Sequence, residues 1–427
     1  MKIMQVHNRY RSTAPSGENR VVDTEAAALA GLGHEVIRFE RHSDDIEGWS
    51  RAKKAALPGR VVWSAEAHHA LAGELRSHRP DVVHLHNTFP LLSPAVLYAC
   101  RDAAVPVVAT IHNYKLACAS GDFFRDGTVC HDCAGRLPGP AVRHGCYRGS
   151  RAATAPVALA MTAHRRAWRS LVSAYIFISA AQRELLTGLG LDQDRVFVRH
   201  NLIPARAGLA AVAEPPDAEH PDAESVDAEL VDAELADTDP MVVYAGRLDA
   251  AKGVPLLMAG WDHYRAAAGD GGLGLLIVGA GPLEDEVAAW AAARPSVRLA
   301  GQVDGVTCAR LMSGARAVLL PSAWEETFGL VVVEAMALGV PPVATAHGSF
   351  TELITDGVDG VLFRPGDPAA LGQAVADVAA EPVRYATYGR QARETYEKRF
   401  DPDRNLDQLT GIYRYAIDHP VLETPDG

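Results

Sequence analysis

Ala317-Val-Leu-Leu320, Pro321-Ser-Ala-Trp-Glu-Glu-Thr-Phe-Gly329 and Leu330-Val-Val-Val-Glu-Ala-Met-Ala337 follow one another without a break, and their reading decides the fold. A short apolar run closes at Leu320, a loop follows, and an apolar helix begins near Gly329. That is one strand-to-helix step of an α/β domain. Glu334 falls inside the helix beside Val332, Val333, Ala335 and Met336, where a carboxylate is costly unless hydrogen-bonded. Glu326 lies eight positions earlier, at most about 12 Å away were the span all helical. Two carboxylates so spaced suit the two ends of an elongated ligand, with the first amides of the helix free for phosphate oxygens. The plainer account makes Glu326 a surface residue and Glu334 the partner of a distant arginine.

The same alternation extends in both directions. Strand-like runs occur at Lys2–Val6, Glu35–Phe39, Asp81–Leu85, Pro106–Ile111, Ala174–Ile178 and Arg195–Val198, and again at Met241–Ala245, Gly274–Val278, Val297–Leu299, Ala317–Leu320, Pro342–Ala344 and Val361–Phe363. Helical segments separate them, which predicts βαβ units and parallel sheets. A chain of 427 residues, 48% hydrophobic and 22% charged, is long enough for two such domains. The expected class is therefore α/β, with two Rossmann-like doubly wound domains facing each other across a cleft at the carboxyl ends of their strands. Their expected bounds are 1–206 and 240–400. Residues 401–427 form a C-terminal helix and tail, with Leu406, Leu409, Ile412, Tyr413 and Ile417 at helical spacing, expected to pack back on the first domain.

Between the domains, residues 207–239 carry an acidic pentapeptide repeat, Pro216-Asp-Ala-Glu-His and its successors. Eleven of the 53 acidic residues lie between Glu214 and Asp239, a stretch without Lys or Arg, so the rest nearly balance the 41 bases. This low-complexity segment reads as a solvated linker. The near-neutral remainder offers no basic footprint for nucleic acid. No run approaches the roughly 20 apolar residues of a membrane span. The opening Met1-Lys-Ile-Met-Gln-Val6 reads as a strand rather than a signal peptide, which makes a cytoplasmic location the default.

A second constellation is Met241-Val-Val-Tyr-Ala-Gly246-Arg247-Leu-Asp-Ala-Ala-Lys252-Gly253, a strand ending in a glycine turn that bears two cations. Fixed cations stabilise the charge that develops on a departing diphosphate more than they stabilise the ground state. Taken with Glu326 and Glu334, this pattern resembles the retaining GT-B glycosyltransferases of the glycogen-synthase-like and mannosyltransferase-like superfamily, the family 4 type. The resemblance spans nearly the whole chain apart from the acidic segment. It implies transfer of a sugar from an NDP-sugar to an acceptor hydroxyl with retention of configuration, without a catalytic metal. It further implies that Arg247 and Lys252 bind the diphosphate, Glu326 contacts the sugar hydroxyls and Glu334 holds the ribose. Gly246, Phe328, Gly329 and Leu330 complete the donor-binding set. In the first domain, Ser16-Gly17 resembles the family's Gly-Gly loop, with serine in place of the first glycine, and His112 resembles the family's histidine beside the reacting sugar. His84 and His86 are expected to alternate around their strand, so that at most one faces the cleft. The rival readings are an NDP-sugar epimerase or hydrolase on the same fold and a non-catalytic nucleotide-sugar-binding protein.

Four of the six cysteines cluster as Cys118, Cys130-His-Asp-Cys133 and Cys146, in the loop of residues 114–150. Four thiolates at this spacing suit a tetrahedral structural zinc, the alternatives being reduced thiols or disulfides. The acceptor class stays open at this point among a glycan, a glycolipid and a small natural product, as does peripheral membrane contact.

Overall fold

The computed structural model describes residues 1–12, 16–204, 240–269 and 272–421. The acidic segment 207–239 lies outside the described residues, as do Ala14, Pro15 and the tail from 422. All twelve expected runs are strands. The first six are β1 (Lys2–Arg9), β2 (Glu35–His42), β3 (Val82–Asn87), β4 (Val107–Ile111), β5 (Ala174–Phe177) and β6 (Val196–Val198). The second six are β7 (Met241–Ala245), β8 (Gly274–Val278), β9 (Val297–Gly301), β10 (Ala317–Leu320), β11 (Pro342–Thr345) and β12 (Val361–Phe363). They build two six-stranded sheets in the orders β2-β1-β3-β4-β5-β6 and β9-β8-β7-β10-β11-β12. Every recorded pairing in both sheets is parallel, so each connection crosses over and the carboxyl ends of a sheet share one edge.

The chain forms two compact units, one per sheet. In the second unit the order reverses between β7 and β10, which are hydrogen-bonded neighbours. The loops leaving Ala245 and Leu320 therefore open side by side at the switch point, where doubly wound sheets bind ligands. In the first unit the reversal lies between β1 and β3, which brings together the segments that follow Arg9 and Asn87.

Central parallel strands are covered on both faces, and β3, β4, β7 and β10 are buried along their whole length. In the second unit, Trp261 and Tyr264 of the helix Val254–Ala268 pack with Leu275, Leu319 and Leu371. In the first, the C-terminal helix Pro402–Asp418 lays Leu406, Leu409, Ile412 and Tyr413 against Ile3, Val82, Val108 and Ile176. This last helix thus belongs to the first unit although it follows the second in sequence. Arg199 fastens it: the guanidinium donates to Asn405 Oδ1 at 2.6 Å and to Glu25 Oε1 at 2.7 Å, all three side chains being buried. Among the described residues, no helix is long and apolar enough to cross a membrane.

Candidate active site

In the second unit the Arg247 turn follows β7 directly. Arg247 is about half exposed (52%) and pairs with Asp249, whose other oxygen accepts from the Lys252 amide at 2.8 Å. The chain then turns at Gly253, with φ +76°; a Cβ there would stand 1.8 Å from the Pro321 carbonyl oxygen. Only glycine lets the two loops approach so closely. Across that contact Lys252 Nζ donates to Glu326 Oε1 at 2.8 Å, and Ser322 Oγ donates to the same oxygen at 2.7 Å. The lysine also stands 5.2 Å from the ring centroid of Trp324. Glu326 is 5% exposed, so the pair is formed by one dry partner and one that still meets solvent.

The loop carrying Glu326 is held from the β11 side. His347 Nε2 donates to the Ser322 carbonyl at 2.7 Å, Ser349 Oγ donates to the Phe328 carbonyl at 2.8 Å, and the Ser349 amide donates to the Glu326 carbonyl at 3.1 Å. Phe328 is buried, and Gly329, with φ +82°, caps the helix Leu330–Leu338. Glu334 lies on that helix, 8% exposed among fully buried Val332, Val333, Ala335 and Met336. The second unit thus brings Arg247, Lys252 and Glu326 onto two adjoining loops, with Gly246, Phe328, Gly329 and Leu330 in the same loops or at their ends. Such a set can hold an anion by charge and by helix amides, and hydroxyls by carboxylate oxygens.

In the first unit, Ser16 caps the helix Gly17–Gly31, its Oγ accepting from the Asn19 amide at 3.3 Å. His112 follows β4, 8% exposed, and its Nε2 lies 3.0 Å from Nδ1 of His86. Burial pushes both imidazoles well below the usual histidine range, so they are neutral. Among the described residues, His86 Nε2 is buried with no hydrogen-bond partner. An orphaned N–H is rarer than an orphaned acceptor, so the His86 proton belongs on Nδ1, donated to His112. His112 then carries its own proton on Nδ1. His84 and His86 lie on the same side, ring centroids 4.0 Å apart, which corrects the expectation that they alternate. Residues two apart in a strand share a face. His84 is a core residue, bonded to Thr110 Oγ1 and the Tyr413 hydroxyl at 2.7 Å each.

Sequence reasoning missed two residues here. His7, the position directly after the run read as a strand, is fully buried, and its Nε2 donates to Asn19 Oδ1 at 2.8 Å. Glu18, directly after Gly17, has Oε2 accepting from Tyr10 Oη at 3.1 Å and Asn113 Nδ2 at 3.4 Å, while Oε1 is buried without a hydrogen-bond partner among the described residues, 3.8 Å from His7 Nδ1. Burial pushes its carboxyl up to about 7. A Ser-Gly-Glu start reads locally as an ordinary helix opening with a favourable acid, so nothing in the sequence marks Glu18 as buried.

The four clustered cysteines are free thiols. Cys133 joins Val61, Ala119, Ala141 and Val157 in a small apolar cluster, with Cys146 packed against it. Burial, with the neighbouring sulfurs adding to it, raises the Cys133 and Cys146 thiols above the usual range.

Known proteins share both halves of this chain. The family described as Glycosyltransferase Family 4 matches residues 15–206, and the family described as Glycosyl transferases group 1 matches residues 239–381. A glycogen synthase of Mycobacterium tuberculosis is 28% identical over 436 residues, covering 94% of this chain and 91% of the relative. A phosphatidyl-myo-inositol mannosyltransferase of Mycobacterium leprae is 34% identical over 160 residues, 36% of this chain and 42% of the relative. Among solved structures, HepE of Anabaena in complex with UDP-glucose superposes with TM-score 0.65 at 18% identity, covering 96% of this chain and 98% of its own. Sucrose-phosphate synthase of Thermosynechococcus elongatus gives 0.67 at 18%, covering 97% and 98%. At these identities the structures speak for the fold.

Proposed function

The chain belongs to the family 4 type of GT-B glycosyltransferases, and from that premise we propose that it moves a hexosyl group from an NDP-sugar to an acceptor hydroxyl with retention of configuration. The observation that carries the reading is the Lys252–Glu326 contact of 2.8 Å between the two loops at the switch point of the second unit. A cation and a carboxylate sharing one hydrogen bond beside a helix start can separate to grip a diphosphate and a sugar hydroxyl. In this proposal Arg247 and Lys252 neutralise the leaving diphosphate, with the amides at Gly329 and Leu330 beside them. Glu326 binds sugar hydroxyls and Glu334 the ribose, while Gly246 and Phe328 shape the floor of the donor site. Gly17 and His112 belong to the acceptor side, where the His112 N–H orients a hydroxyl of the reacting sugar. No catalytic metal is needed, because fixed cations supply the charge. The protein is assigned to the cytoplasm.

HepE binds UDP and UDP-glucose, which favours a uridine diphosphate donor. The acceptor is proposed to be a glycan or glycolipid. A groove in the first unit lined by Phe89, Leu116, Met161 and Trp168, with Lys115 and Arg165, pairs apolar surface with cations and suits a lipid-linked acceptor.

Isothermal calorimetry against UDP-, GDP-, ADP- and TDP-sugars, with EDTA present, tests the donor site. Selective binding of one donor supports it, and binding that requires a divalent metal contradicts the metal-free reading. Anomeric proton couplings of the product then test retention. An altered free nucleotide sugar formed without acceptor would identify an epimerase instead.

A further inference from the structure

We propose that Cys118, Cys130, Cys133 and Cys146 bind one zinc ion that locks the loop of residues 114–150. The segment has only two short paired strands, Phe124–Arg125 and Thr128–Val129, and one short helix, Gly139–His144, and the apolar cluster it shares with Val61 and Val157 is small, so little else holds a segment of this length. All four ligands lie in the first unit, and each backbone is already pinned: the amide of Cys118 donates to Tyr114 O at 2.8 Å, Cys130 to Phe123 O at 2.7 Å and Cys146 to Ala141 O at 3.0 Å, while Arg136 donates to Cys133 O at 3.2 Å. The Ala134 amide donates to His131 O at 3.0 Å, closing a tight turn between Cys130 and Cys133. Two donors are aimed at sulfur, the Ala141 amide at Cys133 and the Arg125 guanidinium at Cys146. Donors to sulfur are the usual outer support of a zinc site. Arg125 also pairs with Asp132 at 3.0 Å, which fixes it beside Cys130.

Binding replaces four thiol protons, released to solvent, by four Zn–S bonds. The resulting site carries two negative charges, which Arg125 partly offsets. No three of the sulfurs stand within 4.8 Å of one another, so closure needs side-chain rotation on the pinned backbone. The described group that already meets that spacing is Glu25, His84 and His86, but the Arg199 guanidinium sits 2.7 Å from the Glu25 carboxylate and opposes a cation there.

The test uses the full-length protein purified from zinc-supplemented culture without chelators. Elemental analysis is expected to give about one zinc per chain, and Cys130→Ser/Cys133→Ser is expected to abolish it. Should that variant fail to fold, wild type alone decides: cobalt(II) replacement is expected to give the strong sulfur-to-metal absorption of a tetrahedral thiolate site. Strong chelator is expected to expose about four further thiols and to open the loop to trypsin at Arg136 or Arg143. A protein without zinc that takes up no cobalt, thiols found as disulfides, or zinc retained by the double variant would each overturn the proposal. None of these readouts depends on sugar transfer.

Discussion

Replacing Glu18 with Gln tests how far burial governs the chemistry of the first unit. The carboxyl titrates near 7 rather than 4.5 because it is shut away from water, with 9% of its side chain exposed. Tyr10 and Asn113 donate to Oε2, and Oε1 faces His7 Nδ1. His7 is held neutral, pushed down to about 4 mainly by its own burial, and its Nε2 proton is committed to Asn19. Nδ1 is therefore a bare acceptor, and the natural occupant of Oε1 is a proton. Glutamine reproduces that state, with an N–H toward His7 and an oxygen for Tyr10 and Asn113.

The sign follows from the direction of the shift. An acid raised in the folded state contributes stability in full below its unfolded value near 4.5, and that contribution is lost as pH rises through about 7. Wild type should therefore carry a penalty of about 3 kcal/mol above neutrality that the variant lacks. Urea unfolding of both proteins, followed by circular dichroism across this range, reads the difference directly. Glu18→Gln should unfold at higher urea than wild type at alkaline pH, and the gap should close toward pH 4.5. A gap independent of pH, or a variant that loses ground as pH rises, would refute the argument.

Three further outcomes follow from the geometry. Glu334→Gln should weaken donor binding by roughly 10- to 100-fold in calorimetry, the loss of a charge-assisted hydrogen bond, whereas Lys252→Ala should mainly lower kcat; wild-type behaviour in both would remove the donor site as drawn. Gly253→Ala should cost at least about 2 kcal/mol in urea unfolding, because its Cβ would meet the Pro321 carbonyl at 1.8 Å and its φ is +76°. Arg199→Met should cost about 3–5 kcal/mol by stranding Glu25 in the core, and Glu25→Gln in the same chain should restore part of it.

Strands were easy to read because a central parallel strand is covered on both faces and becomes an uninterrupted apolar run. The reading failed where that logic stops. β1 continues to Arg9, but His7 and Asn8 are polar residues buried at its carboxyl end, so the apolar signal ended at Val6 before the strand did. The motifs around Arg247 and Glu326 could be seen, but their contact could not. It depends on β7 and β10 being neighbours, and strand order leaves no trace in local periodicity. Ser322 and Asp249, which hold Glu326 and Arg247, were passed over for the same reason. The misplacement of His84 and His86 was an error of period rather than of information, since a spacing of two already fixes a common face.

The two units assemble polar groups of opposite character. In the second, charge is preserved: Lys252 reaches solvent, Arg247 is half exposed, and the buried oxygen of Glu326 is met by an ammonium and a hydroxyl. In the first, charge is suppressed: His7, His86 and His112 are neutral and the Glu18 carboxyl is raised to about 7, all principally through burial. Phosphate binding requires the former, since an anion is held by fixed cations and amides. Neutral imidazoles and a protonated carboxyl offer hydrogen bonds to an alcohol without adding charge. The charged groups of the second unit are therefore the ones suited to a diphosphate, and inorganic diphosphate is expected to compete for the Lys252 site without altering the titration of Glu18.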